Sequence, residues 1–242
     1  MKETLRPQTS GQLALPVQLD DGATLANFFL PDNKKNLAAL KTIEEDLNQS
    51  AYLWGGPGAG ISHLLQAACQ SASLATKQSI YLPLKDIRQA PADQVLAGLE
   101  TMNLICLDDL DSVVDSTEWT EQLFHLFNRS VIAGSRLLFG AKMPPLNLDT
   151  SLADLKSRLS SLLVHKVEKL SDEETVQALI FRAHRRGIEM PATVAEYLLS
   201  RYSRKSSDQF AALDKLDKAA LTEKRKLTVP FVKMVLEADN DG

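Results

Sequence analysis

Residues 52–63 read Tyr52-Leu53-Trp54-Gly55-Gly56-Pro57-Gly58-Ala59-Gly60-Ile61-Ser62-His63. A short apolar run enters a glycine-rich turn, and the turn opens a helix. That is the build of a phosphate-binding loop, G-x-x-x-x-G-K-[ST]. Gly55 and Gly60 hold the two fixed glycines and Ser62 holds the hydroxyl. The lysine position holds Ile61, a neutral branched side chain. Much of such a cradle is backbone N–H, supplied by the loop and the first turn of the helix. Gly56, Gly58, Ala59, Ile61 and His63 therefore remain candidate ligand contacts beside Gly55, Gly60 and Ser62. His63 reads as a cap or packing residue of that turn. The pattern promises a nucleotide fold with an impaired chemical step.

Downstream, Gln78–Leu84 is a second strand candidate that stops near Pro83. Leu104-Ile105-Cys106-Leu107-Asp108-Asp109 is an apolar run ending in two acids. In a parallel sheet those acids lie at the carboxyl end, where the ligand crevice opens. Asp108 there would hold magnesium through water, with Ser62 as the other metal contact. Asp109 stands where a water-polarising glutamate is often found, one methylene short of it. Arg136–Ala141 is a further strand, and Leu162–Val167 the last. Short helices are expected over 92–101 and 152–159. A longer one spans 119–131, with Leu123, Phe124, Phe127 and Val131 inward. At the end of the fourth strand only Lys142 offers a charge, and a solvated lysine is the plain reading. Strands alternating with helices imply a mostly parallel αβα sandwich.

Ahead of the loop, Asp32 or Asn33 is expected to cap a helix running to about Leu47. Phe28 and Phe29 are candidates for core or for a base pocket. Residues 1–24 are polar and punctuated by Pro7, Gly11, Pro16 and Gly22. One apolar island, Gln12-Leu13-Ala14-Leu15-Pro16-Val17, interrupts them. Pro16 biases Leu15 toward extended backbone. Such a segment is either a groove-binding peptide or a strand packed on its own domain.

From Ser171 the period becomes helical throughout. Ser171 and Glu174 have capping-box spacing. Gly187 suits a helix stop, and Pro191 suits the first turn of the next helix. Four helices follow without a strand. The reading is thus an α/β body, with a P-loop on a parallel sheet, followed by a helical lid. The divisions are a tail over 1–24, a body over 25–168 and a lid over 169–242. Arg182, Arg185, Arg186 and the other basic residues of the lid read as solvated helix ends.

The 242 residues carry a formal net charge of -4, with 44% hydrophobic and 24% charged residues. That suits an ordinary globular chain and argues against a broad nucleic-acid surface. Cys69 and Cys106 both sit in apolar runs and read as buried thiols, which points to the cytoplasm. No stretch reaches the roughly 20 apolar residues of a membrane span. The loop overlaps G-x-G-x-x-G only through its glycines, so a dinucleotide oxidoreductase is disfavoured.

The order of glycine loop, Asp-Asp strand, helix-end arginine and four-helix lid resembles the AAA+ class. Longer segments narrow the resemblance: Ser62–Cys69, Leu152–Leu159, Leu170–Glu173, Arg182–Gly187, Leu213–Ala220 and Arg225–Lys233. They are similar to the Hda family of regulatory inactivators. That family is related to the ATPase core of the bacterial replication initiator DnaA but lacks its DNA-binding domain. The resemblance implies a clamp-binding peptide at Gln12, Leu13, Leu15 and Pro16, directed to the DNA polymerase III beta sliding clamp on DNA. It implies DnaA as partner, and Arg158 as an arginine finger acting in trans on the ATP of DnaA. The consequence would be inhibition of replication over-initiation by a cytoplasmic protein that reaches the nucleoid through the clamp. It also implies ADP as the nucleotide, magnesium as an option, and self-association.

Departures qualify that picture. Ile61 replaces the loop cation, the lid arginine position falls on Ser207, and the first sensor position falls near Ala141 and Lys142. Each lost charge-assisted contact removes about 1.5–3 kcal/mol. Intrinsic turnover is therefore not expected. A self-contained AAA+ ATPase and a DNA-binding replication factor stand as alternatives, opposed by Ile61 and by the acidic balance respectively.

Overall fold

A computed structural model describes residues 22–45, 49–201, 206–223 and 225–237. Five strands make one sheet: β1 (Ala51–Trp54), β2 (Ser79–Pro83), β3 (Leu104–Asp108), β4 (Arg136–Ala141) and β5 (Leu163–Lys166). Their spatial order is β2-β3-β4-β1-β5, with every pairing parallel. Successive side chains point to opposite faces, and the core divides accordingly. Ala51, Leu53, Tyr81, Leu104, Cys106 and Leu138 pack under α1 (Leu37–Glu45) and α2 (Ile61–Leu74). Tyr52, Leu82, Ile105, Leu107, Leu137 and Phe139 pack under α5 (Thr117–Ala133) and α6 (Ala153–Ser160). Residue by residue, the near-continuous apolar strands serve two cores at once. Both cysteines are buried in the first of these layers.

The short segment after β2 forms two single-turn helices, α3 (Leu84–Ile87) and α4 (Ala92–Val95). The single helix expected over 92–101 is instead α4 and a 3-10 turn at Leu99–Thr101. Gly98, with φ near 73°, separates them. Helix α5 begins on the Ser116 side-chain cap and ends at Gly134 in left-handed conformation. Leu123 and Phe127 are buried as expected, but Val131 is 65% exposed. Ser130 beside it is fully buried, so the last turn still packs on the body while Val131 lies off that face.

The lead-in to α1 also departs from the expectation. Helix α1 begins at Leu37, after Lys34 and Asn36 in left-handed conformations. Asn33 accepts from the Lys35 N–H and donates to Glu174, so it shapes a turn instead of capping a helix. Leu47 lies outside the described residues. Asn36 pairs with the backbone of Glu168 in both directions, at 3.0 and 2.7 Å. Lys35 pairs with Glu174 and donates to the Lys169 carbonyl. The lead-in thereby grips the connection that follows β5.

Beyond that connection lie α7 (Asp172–Arg185), α8 (Ala192–Arg201), α9 (Ser206–Glu223) and α10 (Val229–Glu237). The capping box expected at Ser171 and Glu174 is present, both halves of it. These helices enclose a separate apolar cluster that includes Leu179, Leu198, Leu213, Leu216 and Phe231. Among the described residues no helix is long and apolar enough to cross a membrane.

Arg136 is the largest fully buried side chain of the described residues. Its guanidinium donates to the Gln49 carbonyl at 2.7 Å and the Thr42 carbonyl at 2.6 Å, tying the end of α1 to the start of β4. Arg136→Ala leaves a cavity and two part-buried carbonyls short of a donor. We expect it to lower the unfolding free energy by about 3 kcal/mol or more, measured by denaturant titration. An unchanged midpoint would show that this tie carries no weight.

Candidate functional site

The glycine loop turns at the carboxyl ends of β1, β3 and β4. Its entry is fixed by crowding. The Gly55 N–H donates to the Ala141 carbonyl at 3.1 Å. A Cβ on Gly55 would sit 2.2 Å from the Val167 carbonyl oxygen, so no other residue fits without backbone movement. Gly58 and Gly60 are left-handed, and Gly60 caps α2. The first N–H bond within α2 is that of Leu64 to the Gly60 carbonyl. The preceding N–H groups of the turn face the concavity of the loop, the arrangement that receives an anion. Above them lies a cavity of about 660 Å³, within the range of small-ligand sites. Phe28, Phe29 and the loop 55–63 form one side, Asp108, Asp109 and Lys142 the floor, and the lid the other side.

The floor shows what Ile61 does. Its side chain is buried and belongs to the core beneath α2. A Cβ added at Gly140 would meet Asp108 Oδ1 at 2.5 Å, Ile61 Cγ2 at 2.8 Å and Leu65 Cδ1 at 2.8 Å. Ile61, Leu65 and Asp108 therefore converge on the open face of Gly140. The side chain at the lysine position is part of the hydrophobic floor. Asp108 is 4% exposed. It accepts from the Tyr81 hydroxyl at 2.8 Å and from the Asp109 N–H at 2.9 Å. Burial, then the charge of Asp108, pushes the Tyr81 phenol up, so it stays a donor. Tyr81 also meets the side chains of Gln66 and Ser62. The Asp108 carboxylate retains lone pairs for a metal-bound water, and Ser62 meets the same Tyr81 side chain and lines the same cavity, so this donor set fits a magnesium ion held partly through water.

The rim carries a second acidic group. Asp109 has φ near 52° and lies 3.9 Å from the Lys142 ammonium. Burial, then the neighbouring Asp108, holds its carboxyl above the usual range. Lys142 is exposed, as the sequence suggested, and is also paired. It donates to Asp111 at 3.0 Å from Nζ, while its backbone N–H donates to the other Asp111 oxygen. That bond raises its pKa.

Across the cavity the lid supplies what the sequence reading assigned to solvent. Arg182, on α7, donates from Nε to the Asn27 carbonyl at 3.2 Å and from Nη2 to His63 Nδ1 at 2.8 Å. Its guanidinium stacks 3.6 Å from the centroid of Phe210 on α9. His63 meets the Thr24 carbonyl through Nε2 at 2.9 Å. Because arginine only donates and a carbonyl only accepts, the His63 proton sits on Nε2. Arg186, one turn along α7, pairs with Asp214 of α9, and both line the cavity. A period of four from Ala178 through Arg182 to Arg186 was the available signal, since it places all three on one face of α7.

Other candidates lie elsewhere. Arg158 sits in the last turn of α6, exposed, 6.0 Å from the centroid of Phe127. It is outside the lining of this cavity. Ser207 lies in the first turn of α9. Gln12, Leu13, Leu15 and Pro16 lie outside the described residues.

Comparison with known proteins assigns this arrangement. The bacterial DnaA ATPase domain model matches residues 19–166, more than half of the chain. The chain belongs to that family. The Hda lid domain model matches residues 172–236, so the lid is of the Hda kind on a DnaA-type AAA+ body. Among solved structures, domain III of Thermotoga maritima DnaA is 20% identical, over 92% of this chain and 98% of that one, with a TM-score of 0.71. AMPPCP-bound DnaA from Aquifex aeolicus is 22% identical, over 84% of this chain and 66% of that one, at 0.67. A Thermotoga maritima RuvB variant is 14% identical, over 89% and 73%, at 0.62. At these identities the likeness to solved structures is one of fold.

A methyl at Gly140 has no space between Asp108, Ile61 and Leu65. Gly140→Ala should destabilise the protein by about 1–3 kcal/mol through overpacking, read as a lower unfolding midpoint. A midpoint equal to the unsubstituted chain would mean that the floor is not packed as described.

Proposed function

We propose that this chain is a DnaA regulator that acts on another protein's nucleotide. It binds the DNA-loaded sliding clamp through Gln12, Leu13, Leu15 and Pro16. It stimulates hydrolysis of ATP held by DnaA through Arg158, and so restrains over-initiation of replication. Its own loop is a seat for a nucleoside diphosphate, ADP in the first place, held chiefly by backbone donors.

One observation carries the reading: Arg158 is exposed and stands outside its own cavity, while the lysine position of that cavity is filled by a buried isoleucine. The chain's conspicuous finger candidate thus lies outside the chain's own phosphate site. A finger delivered across a subunit boundary stabilises charge that spreads over the transferring phosphoryl oxygens, and contributes about 10³–10⁵ in rate. The DnaA-type body and Hda-type lid support the partner. Ser62 and Asp108 would hold magnesium when it accompanies the nucleotide, where it would neutralise phosphate charge. Gly56, Gly58, Ala59 and the first turn of α2 would hold the phosphates themselves.

Leu13 and Leu15 each contribute about 1–3 kcal/mol if fully buried in a clamp groove, and Gln12 adds an amide anchor. A tail that orders on binding gives modest affinity by itself, and simultaneous contact with DnaA compensates by raising local concentration.

Two substitutions separate the parts. Gln12→Ala should abolish clamp capture while leaving the unfolding midpoint unchanged. Arg158→Ala should retain clamp capture and lose stimulation of DnaA-bound ATP hydrolysis by at least tenfold in an assay reconstituted with clamp on DNA. Full stimulation by Arg158→Ala would sink the finger assignment. ATP turnover by the isolated chain, abolished by Asp108→Ala, would instead favour a self-contained ATPase.

A further inference from the structure

We infer that Arg182, from the first lid helix, supplies the phosphate-binding cation that the loop lacks. The inference rests on the nucleotide reading of the cavity given above. In that cavity the position that would send an ammonium to the phosphates is Ile61, and its side chain is built into the floor against Leu65 and Asp108. A diphosphate seated on backbone donors alone would bring its charge next to the buried carboxylate of Asp108. A compensating cation is needed from another direction.

Arg182 comes from that direction. Its Nη2 is 2.8 Å from Nδ1 of His63, in the first turn of α2, next in sequence to Ser62 of the loop. Two contacts aim the guanidinium independently of any ligand. Nε is held by the Asn27 carbonyl at 3.2 Å, and the guanidinium lies 3.6 Å from the centroid of Phe210. Those contacts come from the lead-in and from α9, so the side chain is placed from both sides of the cavity. Lys142 and Arg186 also line it, and they pair with Asp111 and Asp214 respectively.

The neutral ring nitrogen of His63 is a weaker acceptor than a phosphate oxygen. Ligand arrival therefore exchanges the Nη2–Nδ1 bond for a charge-assisted one, while the Asn27 bond and the Phe210 stack persist. His63 Nε2–H keeps donating to the Thr24 carbonyl throughout. The lid then holds the phosphates directly, and the cation has moved from the loop to α7. The third lid helix, where the resemblance places its lid arginine, carries Ser207 at that position and contributes Phe210 as a stacking face instead.

The test is titration calorimetry of ADP into the full chain, at low and at high salt, for the unsubstituted protein, Arg182→Gln and Arg182→Lys. Arg182→Gln should bind ADP about 10- to 100-fold more weakly at low salt, with a flatter dependence on salt. Arg182→Lys keeps the charge without the planar fork, and should retain a salt dependence close to that of the unsubstituted chain at intermediate affinity. Affinity of Arg182→Gln within twofold of the unsubstituted chain would overturn the inference alone. Weakening with an unchanged salt dependence would do the same, because it would mark a structural effect on the lid. Failure of the unsubstituted chain to bind ADP would overturn the nucleotide reading itself. Should Arg182→Gln prove unfolded, the comparison passes to Arg182→Lys: loss of the salt dependence with the fold intact overturns the inference, and its retention supports it.

Discussion

The contact of Ile61 and Leu65 with the bare face of Gly140 decides what this site can be. Three elements meet there: the helix after the glycine loop, the acidic end of β3 and the end of β4. In an ATP-hydrolysing loop the first helical residue sends a charge upward to the phosphates. Here the same residue turns downward and fills volume. The exchange stabilises the floor, since an apolar group is buried where an ammonium would carry a large desolvation cost. It also leaves Asp108 with Tyr81 as its partner instead of a cation. The glycine loop, its helix and the acidic strand all keep their places, so the fold of a nucleotide site outlasts one of its working groups.

From that floor the structure reaches the lid by two routes. One is a band of backbone and carboxylate contacts: Asn36 grips Glu168 in both directions, and Lys35 and Asn33 converge on the capping glutamate of α7. The other runs through the cavity, from the Thr24 carbonyl to His63 to Arg182 to Phe210. The lead-in segment takes part in both. It is therefore not a passive linker: the same fifteen or so residues line the cavity with Phe28 and Phe29 and position the lid. A ligand that exchanged any of these contacts would act on the lid orientation and on its own seat together.

Strands β1, β3 and β4 were legible because each is short and apolar, and burial on both faces demands that composition, whereas β5 lies largely exposed at the sheet edge. The capping box at Ser171 and the stops at Gly134 and Gly187 were legible because left-handed or side-chain-capped ends need particular residues. The errors share a cause. Val131 keeps helical phase with Phe124, itself only half-buried, at the flank of a face that buries Leu123, Phe127 and Ser130, and phase alone does not show how wide the packed face is. Lys34 and Asn36 take left-handed backbone because Asn36 must meet Glu168, a demand made 132 positions away. Arg182 was read as solvated because its partners, His63 and Phe210, come from other elements.

The sequence by itself determined the αβα plan, the site of the glycine loop, the acidic strand end and the helical lid. All of these rest on local period, turn chemistry and the order of elements along the chain. It also determined the loss of the loop lysine, which is a matter of identity at one position. Only the tertiary structure decided where that missing charge is answered. Side chains far apart in sequence set the direction of Arg182 and the burial of Ile61. A guanidinium on a lid helix carries no local mark of the loop it faces, because its direction is fixed by the packing of α7 against α9 and of the lead-in against α7.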